Sequence, residues 1–187
     1  MDHERSLSPS PFPSDDGAAS PETRAALRKA QGRPGAVAYL GAVAALCGDR
    51  VLVPVTATIA RTGISGDGLR TDKEAEMAVV SLARADGRRG LLAFTGLDAL
   101  HAWEPDARPV PVTPDVAAQA AAADGAVALL VDLAGPHPLV IEDEVLAALA
   151  AGQRLVALED GTFGWAILSS GTAPTESAGA EAYGRPE

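Results

Sequence analysis

Side chains able to do covalent or acid–base chemistry in this 187-residue chain include one thiol and three imidazoles beside 25 acids. Cys47 is the one thiol, in the run Cys47-Gly-Asp-Arg50. Sulfurtransferase loops wrap a thiolate in backbone N–H groups, and they need a dense run of glycine and arginine after the cysteine. That run is missing here. Cys47 also closes an apolar helix, where a free thiol behaves as a small hydrophobe, so the residues favour a structural role. A single cysteine excludes an internal disulfide and any multi-cysteine metal site.

His3, His101 and His137 fall on three separate segments, so no converging ligand set is expected and no metal or other cofactor is assigned. Gly63-Ile-Ser-Gly66-Asp-Gly68 has the glycine content of a phosphate cradle. It lacks the strand-before, helix-after setting and the Lys-Ser/Thr pair of a P-loop, and reads as a loop within residues 58–74. Glu142, Asp143 and Glu144 are three consecutive acids, but a first helical turn explains them as partners of the helix dipole. Asp132 differs: it ends an apolar strand, before Leu-Ala-Gly-Pro. An Asp there commonly bonds its own turn backbone, with a ligand-facing role as the alternative. No nucleophile elbow, zinc-protease helix or dinucleotide glycine fingerprint occurs.

Composition narrows the partners. The net charge is −10, with acids spread along the chain and no basic stretch to neutralise phosphates, so nucleic acid is not expected. An acidic surface is also repelled by anionic membranes, and no window of 18 apolar residues occurs. The first residues are polar and acidic rather than signal-like, and the expected compartment is the cytoplasm. Aromatics are only 4%, so the core must come from Ala, Val and Leu.

The elements that would hold these residues are well punctuated. Residues 1–20, rich in Ser, Pro and Asp, read as a disordered tail, as do 168–187. The body is 21–167. Ser20-Pro21-Glu22 starts one helix, and Gly35 to Cys47 forms a second at three- and four-residue apolar spacing. Arg50 to Thr56 is a strand, and Pro54 predicts that it is an edge or bulged. Met77–Ala83 and Gly90–Thr95 form a hairpin around Asp86-Gly87. Thr95-Gly-Leu-Asp98 looks like a capping box opening a helix through Trp103. Thr113-Pro114 opens another helix, followed by strand 127–133, a rigid Pro136-His137-Pro138 turn, a helix from Glu142 to Gly152, and strand 155–158. The expected fold is α+β: one domain with a mixed, largely antiparallel central sheet of about five or six strands packed by helices, in which 127–133 and 155–158 pair in parallel. Its expected core is Val53, Val79, Phe94, Leu100, Trp103, Leu129, Val131, Leu146 and Leu155.

Three pieces resemble one family. They are Leu52-Val-Pro-Val55, then Leu91-Leu-Ala-Phe-Thr95 with Leu97, Leu100 and Trp103, and Val131-Asp-Leu-Ala-Gly-Pro136. Over about 50–165 the chain is similar to the N-terminal domain of the SseB (enhanced serine sensitivity) proteins. Asp132 stands where other members show Asn, and the second domain of longer members is absent. The resemblance implies a fold and no reaction. The expected function is therefore a non-enzymatic interaction or regulatory module with a protein partner. The alternative, an enzyme or accessory factor of sulfur or serine metabolism, rests on the family name and Cys47. Loops placed by a rigid sheet usually carry binding. The expected surface is where three turns would meet: Thr95 and Gly96; Asp132 through Gly135, Pro136 and His137; and Glu142, with Trp103 as an apolar floor.

Overall fold

The computed structural model describes residues 12–58 and 76–167, so the glycine loop at 63–68, His3 and the stretch 168–187 lie outside the described residues. Helix α1 (Pro21–Gly32) starts as its sequence dictates. Ser20 Oγ accepts from the Thr23 N–H at 3.3 Å, and Pro21 occupies a position that needs no donor. Helix α2 (Ala36–Cys47) follows and lays Ala42, Val43, Leu46 and Cys47 into the core.

Strand β1 (Val51–Thr58) is not an edge. It pairs antiparallel with β2 (Glu76–Val79) on one side and with β5 (Arg108–Val112) on the other. Leu52 exchanges both backbone bonds with Phe94, at 2.7 and 2.9 Å. In the β1–β5 ladder the bonds therefore fall to Val51, Val53 and Val55. Pro109 and Pro111, opposite Pro54 and Leu52, need no donor there and blunt the outer edge of β5.

Pro54 sets the second departure from expectation. It faces the same side as Leu52 but has no N–H, so the β1–β4 contact stops at a single bridge. The expected single central sheet is instead split. A second sheet runs β3 (Ser81–Ala83), β4 (Arg89–Ala93), β6 (Ala128–Val131), β7 (Leu139–Glu142). The strand 76–83 crosses between the sheets at Val80, which donates to Pro54 O at 3.2 Å and accepts from Leu92 N at 3.0 Å. Its β3 half forms the expected hairpin with β4, closed by Gly87 N to Arg84 O at 3.0 Å with Gly87 at φ +82.

Helices α3 (Leu97–Trp103), α4 (Pro114–Ala123) and α5 (Asp143–Ala150) complete the α+β body. β4 and β6 are parallel, joined by a crossover through α3, β5 and α4. The expected parallel pairing of 127–133 with 155–158 does not occur. β8 (Gln153–Ala157) instead pairs antiparallel with β9 (Phe163–Ile167) through the Asp160-Gly161 turn, a far shorter loop to close. Leu155 anchors this ribbon in the core.

β4 is buried on both faces. Leu91 and Ala93 join a large Ala/Leu/Val core with Leu27, Val43, Leu129, Ile141 and Leu149. Leu92 and Phe94 join Leu52, Ala99 and Leu100 in a smaller one. Of the expected core, Val79 and Trp103 are only partly buried, while the other seven are buried. Trp103 lies at the end of α3, its ring 5.7 Å from that of Phe94, and covers the small core from the outside.

Candidate functional site

Parallel neighbours end side by side. Ala93 of β4 is in register with Val131 of β6, so Thr95 and Asp132, just beyond them, emerge together at the carboxyl ends of the two strands. In sheets of this kind that is where ligands bind. Here the position is filled by the chain's own polar groups. Asp132 continues the ladder with its N–H to Ala93 O at 2.9 Å, then turns at φ +50, a conformation Asp tolerates. Its carboxylate points inward, fully buried. Oδ1 accepts from Thr95 N–H at 2.8 Å, and Oδ2 accepts from Thr95 Oγ1 at 2.7 Å.

This corrects two expectations. The Asp132 side chain does not bond its own turn; its carbonyl does, accepting from Gly135 N at 2.7 Å. The Thr95 hydroxyl is not a helix cap, because Asp132 takes it. α3 begins at an N-cap of Gly96 with no side-chain bond.

Two arginines finish the network. Arg24 of α1 donates through Nε to Thr95 Oγ1 and through Nη2 to Asp98, both at 2.6 Å, with Nε 3.5 Å from Asp132 Oδ2. Arg50, 5% exposed, donates to Thr95 O at 2.5 Å. It also grips both oxygens of Asp15, at 2.9 and 2.8 Å, and the carbonyl of Ala18 at 2.7 Å. Thr95 thus uses its N–H, its C=O and its hydroxyl, and no buried side-chain polar atom lacks a partner among the described residues.

Asp15 lies in the stretch that composition assigns to a tail. Residues 12–20 are placed against the body, as a strap whose Gly17 carbonyl accepts from Leu97 N at 2.8 Å. Arg24, Arg50 and Asp15 are not among the site residues the sequence suggests, and Asp98 enters there only as part of a capping pattern. The usable signal was a lone arginine directly preceding the apolar run 51–55, Arg50 before Val51.

Electrostatics follow the geometry. Burial pushes the Asp132 carboxyl above its ordinary range, against the pull of both Thr95 bonds and the Arg24 charge. The Arg50 hydrogen bond holds Asp15 below that range, against partial burial. For Asp98 burial pushes upward, but Arg24 and the Ala99 N–H outweigh it and the net direction is down. Burial raises the Cys47 thiol, only partly offset by a backbone bond to Leu155 and the charge of Arg154. Cys47 is therefore a buried thiol held in its neutral form.

The expected surface comes together only in part. Thr95, Gly96 and Asp132 meet but are buried. Gly135 is tight, since an added Cβ would lie 3.0 Å from Asp132 Cβ and 3.3 Å from Ala99 Cβ. Pro136 is exposed, and His137 Nδ1 lies 2.7 Å from Gln31 Oε1 of α1. Glu142 is elsewhere: it is in register with Ala128, at the opposite end of β6, and lies 3.7 Å from Arg88. With Asp143 and Glu144 it opens α5, as a dipole role requires. Trp103 is not the floor of this turn. It lines a separate recess of about 400 Å³ with Pro54, Val55, Val80 and Ala107.

A further recess of about 380 Å³ sits beside His137, between Gln31, Gly35 and Tyr39 and the Pro138-Leu139 segment. His101 is exposed on α3. Among the described residues no three His, Cys, Asp or Glu side chains converge as metal ligands, and no helix is long and apolar enough to cross a membrane.

The family model described as the SseB protein N-terminal domain matches residues 23–148. No curated protein and no solved structure matches the chain at a significant level.

Proposed function

The chain belongs to the SseB family, whose N-terminal domain it carries, and on that premise we propose that it is a non-enzymatic interaction module. Its partner-facing surface is the Leu133–Pro138 turn together with the recess beside His137. One observation carries the reading: an exposed apolar turn is held from below by a fully buried anchor. Leu133 is 44% exposed and Ala134, Pro136 and Pro138 are exposed, while Asp132 directly beneath them is sealed. A turn fixed in this way loses little conformational freedom when a partner covers it. Asp132 is spent on internal bonds, and the Cys47 thiol is buried.

The test is capture of partners from native extract with the whole chain as bait, against Leu133→Asp and His137→Ala. Both variants leave the Asp132–Thr95 bonds in place, so their melting should be unchanged. Proteins held by the wild type and released by both variants are the expected result. An identical captured set for all three baits refutes this surface.

A further inference from the structure

The strap is attached in a way that packed segments are not. Of residues 13–18 only Gly17 is buried. An open recess of about 500 Å³ is lined by residues 12–15 and 18–20 of the strap together with Asp49 and Arg50 of the body. The contacts that hold it include the two-pronged Arg50–Asp15 pair, Arg50 Nη2 to Ala18 O, and Leu97 N to Gly17 O, and Ala19 packs closely on Gly96. The fit at Gly17 is strict. It sits at φ +78, and an added Cβ would lie 2.3 Å from Leu97 Cδ1. The recognition elements are thus one carboxylate, two backbone carbonyls and one glycine. Any segment of sequence Asp-x-Gly that makes the same turn can present the same groups.

We propose that the Arg50 groove is a docking site for acidic Asp-x-Gly segments of another protein, and that residues 12–19 fill it in cis. Forked guanidinium–carboxylate pairing supplies the specificity. With Gly17 the one buried residue of 13–18, the occupant is exchangeable. A tethered segment competes at an effective concentration in the millimolar range, so the chain's own strap sets the threshold a partner must beat. The groove shares no lining residue with the Leu133–Pro138 turn, so its test stands whether or not that turn binds.

The experiment uses the full chain and a fluorescent peptide with the sequence of residues 12–20. In the chain, Gly17→Val should vacate the groove without touching the body. The vacated chain should bind the peptide about tenfold or more tighter than wild type. About tenfold should be lost when the peptide carries Asn for Asp15, and again when Arg50→Lys is added to the vacated chain. If Gly17→Val does not fold, Asp15→Asn in the chain carries the same comparison, because it removes the charge and keeps the shape. Equal peptide binding by wild-type and vacated chains overturns the proposal, as does binding indifferent to Arg50→Lys. A wild-type dimer formed by strap exchange overturns it too, since the occupant would then be a second copy.

Discussion

Replacing Asp132 by Ala should be among the most damaging single changes outside the apolar core. The variant removes both acceptors of Thr95, leaving a buried N–H and a buried hydroxyl without their partner. Each such orphan costs about 1–3 kcal/mol. Position 132 is also at φ +50, where Ala lacks the tolerance of Asp and adds about 1 kcal/mol. The expected loss is about 3–7 kcal/mol, a large part of the ~5–15 kcal/mol that domains possess. Asp132→Asn should behave differently. Its Oδ1 still accepts from the Thr95 N–H, Asn tolerates the same φ, and a buried charge is removed, so about 1–1.5 kcal/mol is expected. Because the folded pKa of Asp132 is raised, its ionisation opposes folding. The favourable contribution is full below the ordinary carboxylate range and is lost as pH rises through the raised value. The Asn variant should therefore gain on wild type as pH rises above the ordinary carboxylate range, about 4. Urea titrations of the three chains at several pH values measure this, through the midpoint and the extrapolated free energy. An Ala variant within about 1 kcal/mol of wild type would refute the clamp, since a lost burial of this kind cannot be silent.

Three further outcomes follow from the same geometry. Cys47 in the native chain should be alkylated about a hundredfold or more slowly than in urea, because burial both raises its pKa and blocks access; fast native labelling would revive a thiol-based activity. Trp103→Ala should cost only about 2 kcal/mol, under the ~3–5 of a fully buried ring, as calorimetry would show, because the side chain is half-exposed over Phe94. Acid should release the strap before the body: with its folded pKa lowered, Asp15 contributes above the ordinary carboxylate range and loses that contribution as pH falls through the depressed value, so the Leu97 amide resonance should shift below about pH 4 while the Thr95 amide does not.

The contrast between Asp15 and Thr95 shows what the sequence could and could not disclose. Signals that act over a few residues were legible: Ser20-Pro21 and Thr113-Pro114 as helix starts, Asp86-Gly87 as a hairpin. Thr95-x-x-Asp98 carries the local pattern of a cap, but an acid 37 residues away takes the hydroxyl, and no periodicity encodes that choice. Pro54 marks an edge or bulged strand in the sequence. It does break a ladder, but on the β4 side, and the consequence is a strand that changes sheets at Val80. Asp132 stands out in the sequence for its place at the end of an apolar strand. Its partner was invisible because it depends on β4 and β6 being parallel neighbours. The strap was missed because composition measures the capacity to bury apolar surface, and this segment is held by point contacts instead.

Those point contacts also explain how a chain of net charge −10 keeps Arg50 only 5% exposed. A guanidinium buried without a carboxylate would cost several kcal/mol. Among the described residues the body gives the Arg50 guanidinium the carbonyl of Thr95, while its carboxylate partner, Asp15, comes from the strap. The burial and the pairing therefore arrive together. When the strap leaves, Arg50 loses its acid and its cover at once, and water takes the place of both. Removing Asp15 should then cost local order far more than global stability, unlike removing Asp132, whose partners stay buried whatever the strap does. The two acids meet at one threonine, Asp132 on its N–H and hydroxyl, Asp15 through the arginine on its carbonyl. The first closes the fold, and the second closes a site that can open.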